Sequence, residues 1–444
     1  MPKATVVIVN WNGERLLPTC LEALRQQTTR DFQTWVVDNA SSDGSVELLS
    51  RDFPEVRVLH NGANLGFAGG NNTALRQVTT PFAVLLNNDA TPEPDWLERL
   101  LEPFDAADGE QLGAVSSKVL FEPKFVRLSL RTKPFRPGGA DSRELGLRIG
   151  RVLVDDVDVT ERVLWESLTW GPEGVGADRY RWTRPEGHVL VPLPSSAGAR
   201  VRIRWAAEAD KEATLSWDGG ELTAVVPAGG GEVSIDLPAD VPALDVVNNA
   251  GSIVFVAGYG ADRGYQEADL GQYDQPDEVF ACCGCAVAFR TAAGQQVDWF
   301  DDDFFLYYED TDLSWRLRAA GWTIRYEPKA VVRHIHSATS IEWSPVFTFH
   351  TTRNRLLMLL KNAGASRARS ELRAFLRETA VLVAVSVKAV LRGRRPGVTV
   401  LRLRLRVVAS LLRLTPAMLR KRRAIARTAT VERAELERWL VTSR

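Results

Sequence analysis

Cysteine is scarce in this chain: four in 444 residues, three of them in the single run Cys282-Cys283-Gly284-Cys285. A structural zinc site needs a second ligand pair at suitable spacing, and the one other cysteine, Cys20, stands alone. The scarcity argues against metal or disulfide roles for the run and suits a reducing compartment. The tail has no bilayer-length apolar segment. Its run from Ala380 to Leu391 is about twelve residues, short of the roughly 20 that span a membrane. Met1 to Asn10 leads straight into a strand too short for a signal-peptide core, so the expected location is cytoplasmic. No G-x-G-x-x-G spacing is present, which leaves a dinucleotide site a weak reading. No recognised nucleic-acid-binding module accompanies the basic residues, so no nucleic-acid partner is expected. Net charge is also nearly absent, at −1. That value hides an asymmetry: from Arg353 onward the chain carries about eighteen net positive charges, and everything before it is acidic.

What is there begins with length and apolar content. At 45% hydrophobic residues the chain can bury a sizeable core in more than one domain. Thr5-Val6-Val7-Ile8-Val9 reads as a strand ending in Asn10-Trp11-Asn12-Gly13, followed by a helical pattern through Leu16, Leu17, Cys20, Leu21 and Leu24. Thr34-Trp35-Val36-Val37 is a second strand, ending in Asp38-Asn39-Ala40-Ser41-Ser42-Asp43-Gly44 before another helix. Strand, polar turn, helix is the rhythm of a parallel, doubly wound α/β sheet. In the stretch from Asn61 to Asn72, glycines allow close backbone approach to a ligand at a helix start.

Two acidic clusters carry the chemistry. Ala83-Val84-Leu85-Leu86 reads as a buried strand ending in Asn87-Asn88-Asp89, and carboxylates at such strand ends sit where α/β sheets bind ligands. Asp89 there suits a hard divalent cation shared with phosphate oxygens; the alternative is an Asx turn before Pro92. The second cluster, Glu309-Asp310-Thr311-Asp312, opens a helix. It reads either as an acidic site or as a helix start that complements the macrodipole, with Asp312 pairing Arg316.

Together these segments resemble the nucleotide-sugar-binding half of a family 2 glycosyltransferase. The resemblance rests on Ile8-Val9-Asn10-Trp11-Asn12, Val37 to Gly44, Asn64-Leu65-Gly66-Phe67-Ala68 with Asn71, and Leu85 to Asp89. It continues through Phe300-Asp301, Phe304 to Trp322, and His334-Ile335-His336-Ser337-Ala338-Thr339-Ser340. The branch it looks most like is the bacterial rhamnosyltransferase-like group. The resemblance implies a GT-A fold, inversion at the anomeric carbon and a nucleotide-sugar donor, first of all dTDP-rhamnose, with a UDP-sugar such as UDP-galactofuranose as the alternative. A catalytically silent sugar-binding or scaffold protein is the reading from another class.

Carried over by position, the resemblance makes Asp38 the base-binding carboxylate, with Asn10 and Trp11 lining the nucleoside pocket. Asn64, Gly66, Ala68 and Asn71 would face ribose and diphosphate, beside Asn88. Asp89 would hold Mg²⁺ or Mn²⁺ in a motif lacking its usual first acid, with His334 as a further ligand and His336 as its rival. Asp310 is the expected general base. Glu309 and Asp312 would orient the acceptor or pair with Arg316 and Arg318. Trp315 belongs to the same motif. A glycine-rich loop from Gly258 to Asp274 would close over the donor, with Arg263 offered to a phosphate; as a surface turn it needs no such role.

The expected division is residues 1–121 for the nucleotide-sugar half, 122–247 for an inserted antiparallel β domain, 248–350 for the acceptor half and 351–444 for a basic helical tail. Alternation in Val201 to Trp205 and Val233 to Leu237, with a turn at Asp218-Gly219, supports the β insert. Its tryptophans, Trp165, Trp170, Trp182, Trp205 and Trp217, suit either core packing or sugar stacking. The tail suits an interfacial helix on anionic inner-leaflet lipid, which would bring the enzyme to a lipid-linked glycan acceptor. Packing against the catalytic domain or a homo-oligomer surface are the alternatives.

Overall fold

The computed structural model describes residues 2–106, 109–139, 141–174, 179–193, 198–335, 344–392 and 398–442. The chain divides into two compact units. One comprises Met1–Leu120, Val247–Tyr265 and Leu270–Arg444; the other is Phe121–Val246 with Gln266–Asp269.

In the first unit a mixed sheet runs through Asp277–Glu278, Thr323–His334, Leu112–Phe121, Ala286–Arg290, Phe82–Leu86, Ala4–Asn10, Phe32–Asp38 and Arg57–His60. The last four strands are parallel, in register Val6 to Val84, Val7 to Trp35 and Trp35 to Arg57. Ala286–Arg290 joins antiparallel, with Ala288 opposite both Val84 and Val115. The strands Ala4–Asn10 and Phe82–Leu86 are apolar on both faces because helices cover both, as parallel sheets require. Helix Leu17–Arg25 buries Leu17, Cys20, Leu21 and Leu24, one face at helical spacing. The α/β, GT-A-type expectation holds.

Val247 pairs with Leu120, and Asn249 with Val119, in antiparallel register. The chain therefore leaves this sheet and returns to it at adjoining positions.

The second unit is a β sandwich. One antiparallel sheet runs Thr169–Glu173, Tyr180–Thr183, Arg148–Val154, Ala199–Ala206 and Gly231–Leu237; the other runs Glu186–Pro192, Phe125–Thr132, Lys211–Trp217 and Gly220–Val226. Inward residues of both sheets, among them Leu128, Val152, Ile203 and Leu215, share one core. Trp205 is buried there, and Trp165 and Trp217 pack against its edge. Trp170 instead lies under the Arg184 guanidinium at 4.1 Å, and Trp182 stands edge-on to Tyr180.

The C-terminal helices Pro345–Asn362, Ala365–Leu391 and Val398–Thr428 belong to the first unit. Leu356, Leu357, Met358, Val407 and Met418 join Phe304 and Trp315 in one core cluster. A large part of this segment is thus packed against the helix Glu309–Ala319 and the segment before it, which the charge count alone did not favour.

Candidate active site

Strand ends bring the first residues together. The Asn88 side chain donates to Asn10 Oδ1 at 2.9 Å, and Asn10 donates to Ser41 Oγ at 3.2 Å. Gly13 lies over that amide pair, where a Cβ would meet Asn10 Oδ1 at 2.2 Å and Asn88 Nδ2 at 2.4 Å. Asn12, in left-handed backbone, accepts from the Ser42 N–H at 2.7 Å, so the turns after the first two strands are knitted together. Trp11, at the rim, is 45% exposed.

Asp38 is buried at the end of its strand; its Oδ2 accepts from the Ser41 N–H at 3.3 Å and lies 4.0 Å from His60 Nδ1. Its Oδ1 is buried without a hydrogen-bond partner. A buried carboxylate oxygen left in that state calls for a donor, and a ring N–H of a nucleobase supplies one.

The loop from Asn61 to Asn72 is largely turned inward. Asn64 Oδ1 accepts from Asn39 Nδ2 at 3.2 Å and from the Gly66 N–H at 2.8 Å. Asn71 donates back one turn to the Phe67 carbonyl at 2.9 Å, and Ala68 is fully buried in the core. Gly66 has φ +71°, and a Cβ there would lie 2.1 Å from the Phe305 carbonyl oxygen. The expected ribose and diphosphate contacts therefore do not pass through the Ala68 side chain. Gly66 instead lets this loop approach the segment before helix Glu309–Ala319.

Asp89 and His334 face each other, with Oδ1 and Nε2 3.2 Å apart, both buried. Asn248 Oδ1 lies 3.1 Å from His334 Nδ1 and orients the ring, a contact the sequence reading missed. Burial disfavours the His334 cation, yet the Cys285 sulfur and the Asp89 carboxylate raise its pKa well above the usual histidine value. Among the described residues, no group of three or more His, Cys, Asp or Glu could hold a metal. One carboxylate and one imidazole, the ring giving up its proton to the ligating role, fit a cation that takes its remaining ligands from phosphate oxygens and water, not an all-protein cage. His336 lies outside the described residues.

Asp310 sits in the first turn of helix Glu309–Ala319. Its Oδ1 accepts from the Thr311 N–H at 2.6 Å and its Oδ2 from the Gly284 N–H at 3.1 Å. Burial pushes its pKa up, against the pull of those N–H groups. Glu309 is buried with Oε2 unpartnered, and burial together with the Asp310 charge raises its pKa well above the carboxylate range. Tyr307 and Tyr308 precede them in left-handed backbone, φ +67° and +71°. Asn354, from the C-terminal helices, holds that turn by donating to the Leu306 and Tyr307 carbonyls at 2.9 and 2.7 Å.

The two clusters meet at the small-residue segment Gly284–Cys285. Gly284 donates to Asp310, the Cys285 carbonyl accepts from the Asn87 N–H at 2.8 Å, and Cys285 interacts electrostatically with His334. The four cysteines are free thiols.

Three expected site residues lie elsewhere. Asp312 is fully buried and engaged by Lys361, Arg316 and Asn362, so it positions the helix and does not touch an acceptor. Trp315 is core, edge-on to Phe280 at 5.2 Å. Arg263 is tied to Asp277 at 2.5 Å and to the Ala250 carbonyl at 2.7 Å, which leaves it no open fork for a phosphate.

Residues 5–147 match the family described as Glycosyl transferase family 2, and the resemblance read from the motifs is borne out over that span. Among curated proteins, the chain is 31% identical over 132 residues to a teichoic acid poly(glycerol phosphate) polymerase of Staphylococcus epidermidis, covering 29% of this chain and 18% of the relative. It is 26% identical over 144 residues to the succinoglycan biosynthesis protein ExoO of Rhizobium meliloti, covering 30% and 41%. The chain thus spans less than half the length of these relatives. The solved structure of GalNAc-T7 with UDP, GalNAc and Mn²⁺ is similar at TM-score 0.45 and 11% identity, over 81% of this chain and 48% of that one.

Proposed function

We propose that this chain is an inverting, metal-assisted glycosyltransferase that moves a sugar from a nucleoside diphosphate to a growing surface or cell-wall polysaccharide. The observation that carries this reading is the Gly284–Cys285 segment, whose backbone bonds both Asp310 and Asn87, two residues before Asp89. This shared segment supports reading the two acidic clusters as parts of one site. The relatives' printed roles in teichoic acid and succinoglycan synthesis support the acceptor class.

In this reading Asp38 Oδ1 accepts from the nucleobase and Trp11 flanks it. Asp89 and His334 would hold Mg²⁺ or Mn²⁺, which would offset charge on the leaving β-phosphate. Asp310 takes the proton from the acceptor hydroxyl as that oxygen attacks the anomeric carbon from the face opposite the departing diphosphate. Its raised pKa improves it as a base. Glu309 Oε2, buried and unpartnered, is free to receive a further acceptor hydroxyl. The first donor to test is dTDP-rhamnose, then UDP-sugars, since an Asp38 carboxylate satisfies either pyrimidine. A polyprenyl-diphosphate-linked glycan at the inner leaflet is the proposed acceptor, reached through the basic C-terminal helices.

The test is nucleoside diphosphate release from a panel of dTDP-, UDP- and GDP-sugars with Mn²⁺ or Mg²⁺. One donor turned over, and lost in Asp38→Ala, supports the reading; silence across the panel with the fold intact moves it to a sugar-binding protein.

A further inference from the structure

Helix Ala365–Leu391 ends in three turns whose apolar side chains stand in solvent. Val381, Val385 and Val390 are each 59% exposed, and Leu391 is 81% exposed. With Ala384 and Val387, these residues cover roughly 220° of the helix circumference at 100° per residue. A neighbouring helix covers a stripe of about 100°. A protein partner of that kind would leave valines in water, whereas a hydrocarbon phase surrounds the whole arc. The single charge within it, Lys388, has a stem long enough to lift its ammonium toward headgroups.

The charges nearby complement an anionic surface. Arg369, Arg373 and Arg377 recur at every fourth position of the same helix, all exposed, and line an open groove with Ser366 and Ser370. Arg392 follows the apolar turns directly. On helix Val398–Thr428, exposed Val400 and Leu405 alternate with Arg402 and Arg406. Arg404 joins the two helices, bonding Glu378 at 3.2 Å and stacking over Phe375 at 4.9 Å. No helix among the described residues is long and apolar enough to cross a membrane.

We propose that the last three turns of helix Ala365–Leu391 insert into the acyl layer of an anionic bilayer, with Arg369, Arg373 and Arg377 set at the lipid phosphates. This deepens the membrane placement given above and rests on it. The occupant is lipid, held by apolar burial as well as charge, so that high salt weakens attachment without releasing the protein.

Sedimentation of the full chain with phosphatidylcholine vesicles, with and without phosphatidylglycerol, at low and high salt, tests it. The expected result is binding that prefers phosphatidylglycerol and persists in high salt. Val385→Asp with Val390→Asp should cut the salt-resistant bound fraction about tenfold. Arg369→Gln with Arg373→Gln and Arg377→Gln should abolish the lipid preference. The substituted residues are exposed, so both variants should keep the wild-type thermal transition and nucleoside diphosphate release. Complete release of wild type by salt, or unchanged binding of the aspartate variant, overturns the proposal. So does a lipid-free dimer that the aspartates dissolve, since a second copy would then be the occupant. Vesicle binding without donor turnover overturns the catalytic reading and leaves this one standing.

Discussion

Lys361 and Asp312 form a wholly buried ion pair, with Nζ 2.7 Å from Oδ2, that joins the C-terminal helices to helix Glu309–Ala319. The same ammonium reaches Asp301 Oδ2 at 2.6 Å, and Lys421 closes on Asp301 from the other side. The helix that presents Asp310 is thus held by residues from far along the chain.

Replacing Lys361 with Met leaves two buried carboxylates short of a cation. Breaking one side of such a pair costs about 3–5 kcal/mol. Urea unfolding should show a loss of that size; a loss below about 1 kcal/mol, the range of a surface pair, would mean the network is not holding the helix.

Asp301 gives the pair a pH signature. Burial alone would raise its carboxyl, but Lys361 and Lys421 outweigh burial and hold it below the usual carboxylate range. With the folded value below the unfolded one, its contribution is fully present above the ordinary aspartate pKa and is lost as pH falls through the folded value. The stability gap between wild type and Asp301→Asn should therefore be constant near neutrality and shrink in strong acid, as followed by denaturant midpoints across pH.

Asp310→Asn should lower kcat by about 10²- to 10⁴-fold while the thermal transition stays put. A base works deprotonated, and the Asp310 pKa is raised. The acid limb of the wild-type rate profile should accordingly lie above the ordinary aspartate value, with activity falling as pH drops through it. The asparagine variant should lack that limb.

Gly66→Ala forces a Cβ to 2.1 Å from the Phe305 carbonyl at a φ of +71°. The strain is worth about 1–3 kcal/mol and pushes the donor loop off the segment that leads to Asp310. Both melting temperature and turnover should fall, and the reverse result would place this contact outside the working site.

Asp89→Ala should remove the stabilisation that Mn²⁺ gives together with a nucleoside diphosphate, read by thermal shift. EDTA should do the same to wild type, and restoring Mn²⁺ should recover it in wild type alone.

Much of this was legible in the sequence because the information was local. Val6 to Val9 and Val84 to Leu86 are apolar on both faces, and the polar turns that follow them name the ligand-binding edge. The pairing of Asp312 with Arg316 is one helical turn long, and the spacing suggested it. Lys361 lies 49 positions from Asp312 and Asn354 lies 47 from Tyr307, so no periodicity connects them. Net charge is blind to pairing for the same reason: Arg353, Lys361 and Lys421 add to the basic count, yet each is bonded to Asp301 or Asp303, and Arg422 is bonded to carbonyls at the end of helix Pro345–Asn362. Arg263 looked available because Asp277, its partner, sits on the far side of a loop.

The antiparallel match of Leu120 with Val247 says something about ancestry. Two neighbouring strand ends need only a tight turn between them, so the sandwich occupies what a short hairpin loop would fill. A single in-frame event in the gene, gaining or discarding that stretch, would leave the order of every strand of the first unit's sheet unaltered. The first unit and the sandwich are then free to evolve on separate clocks.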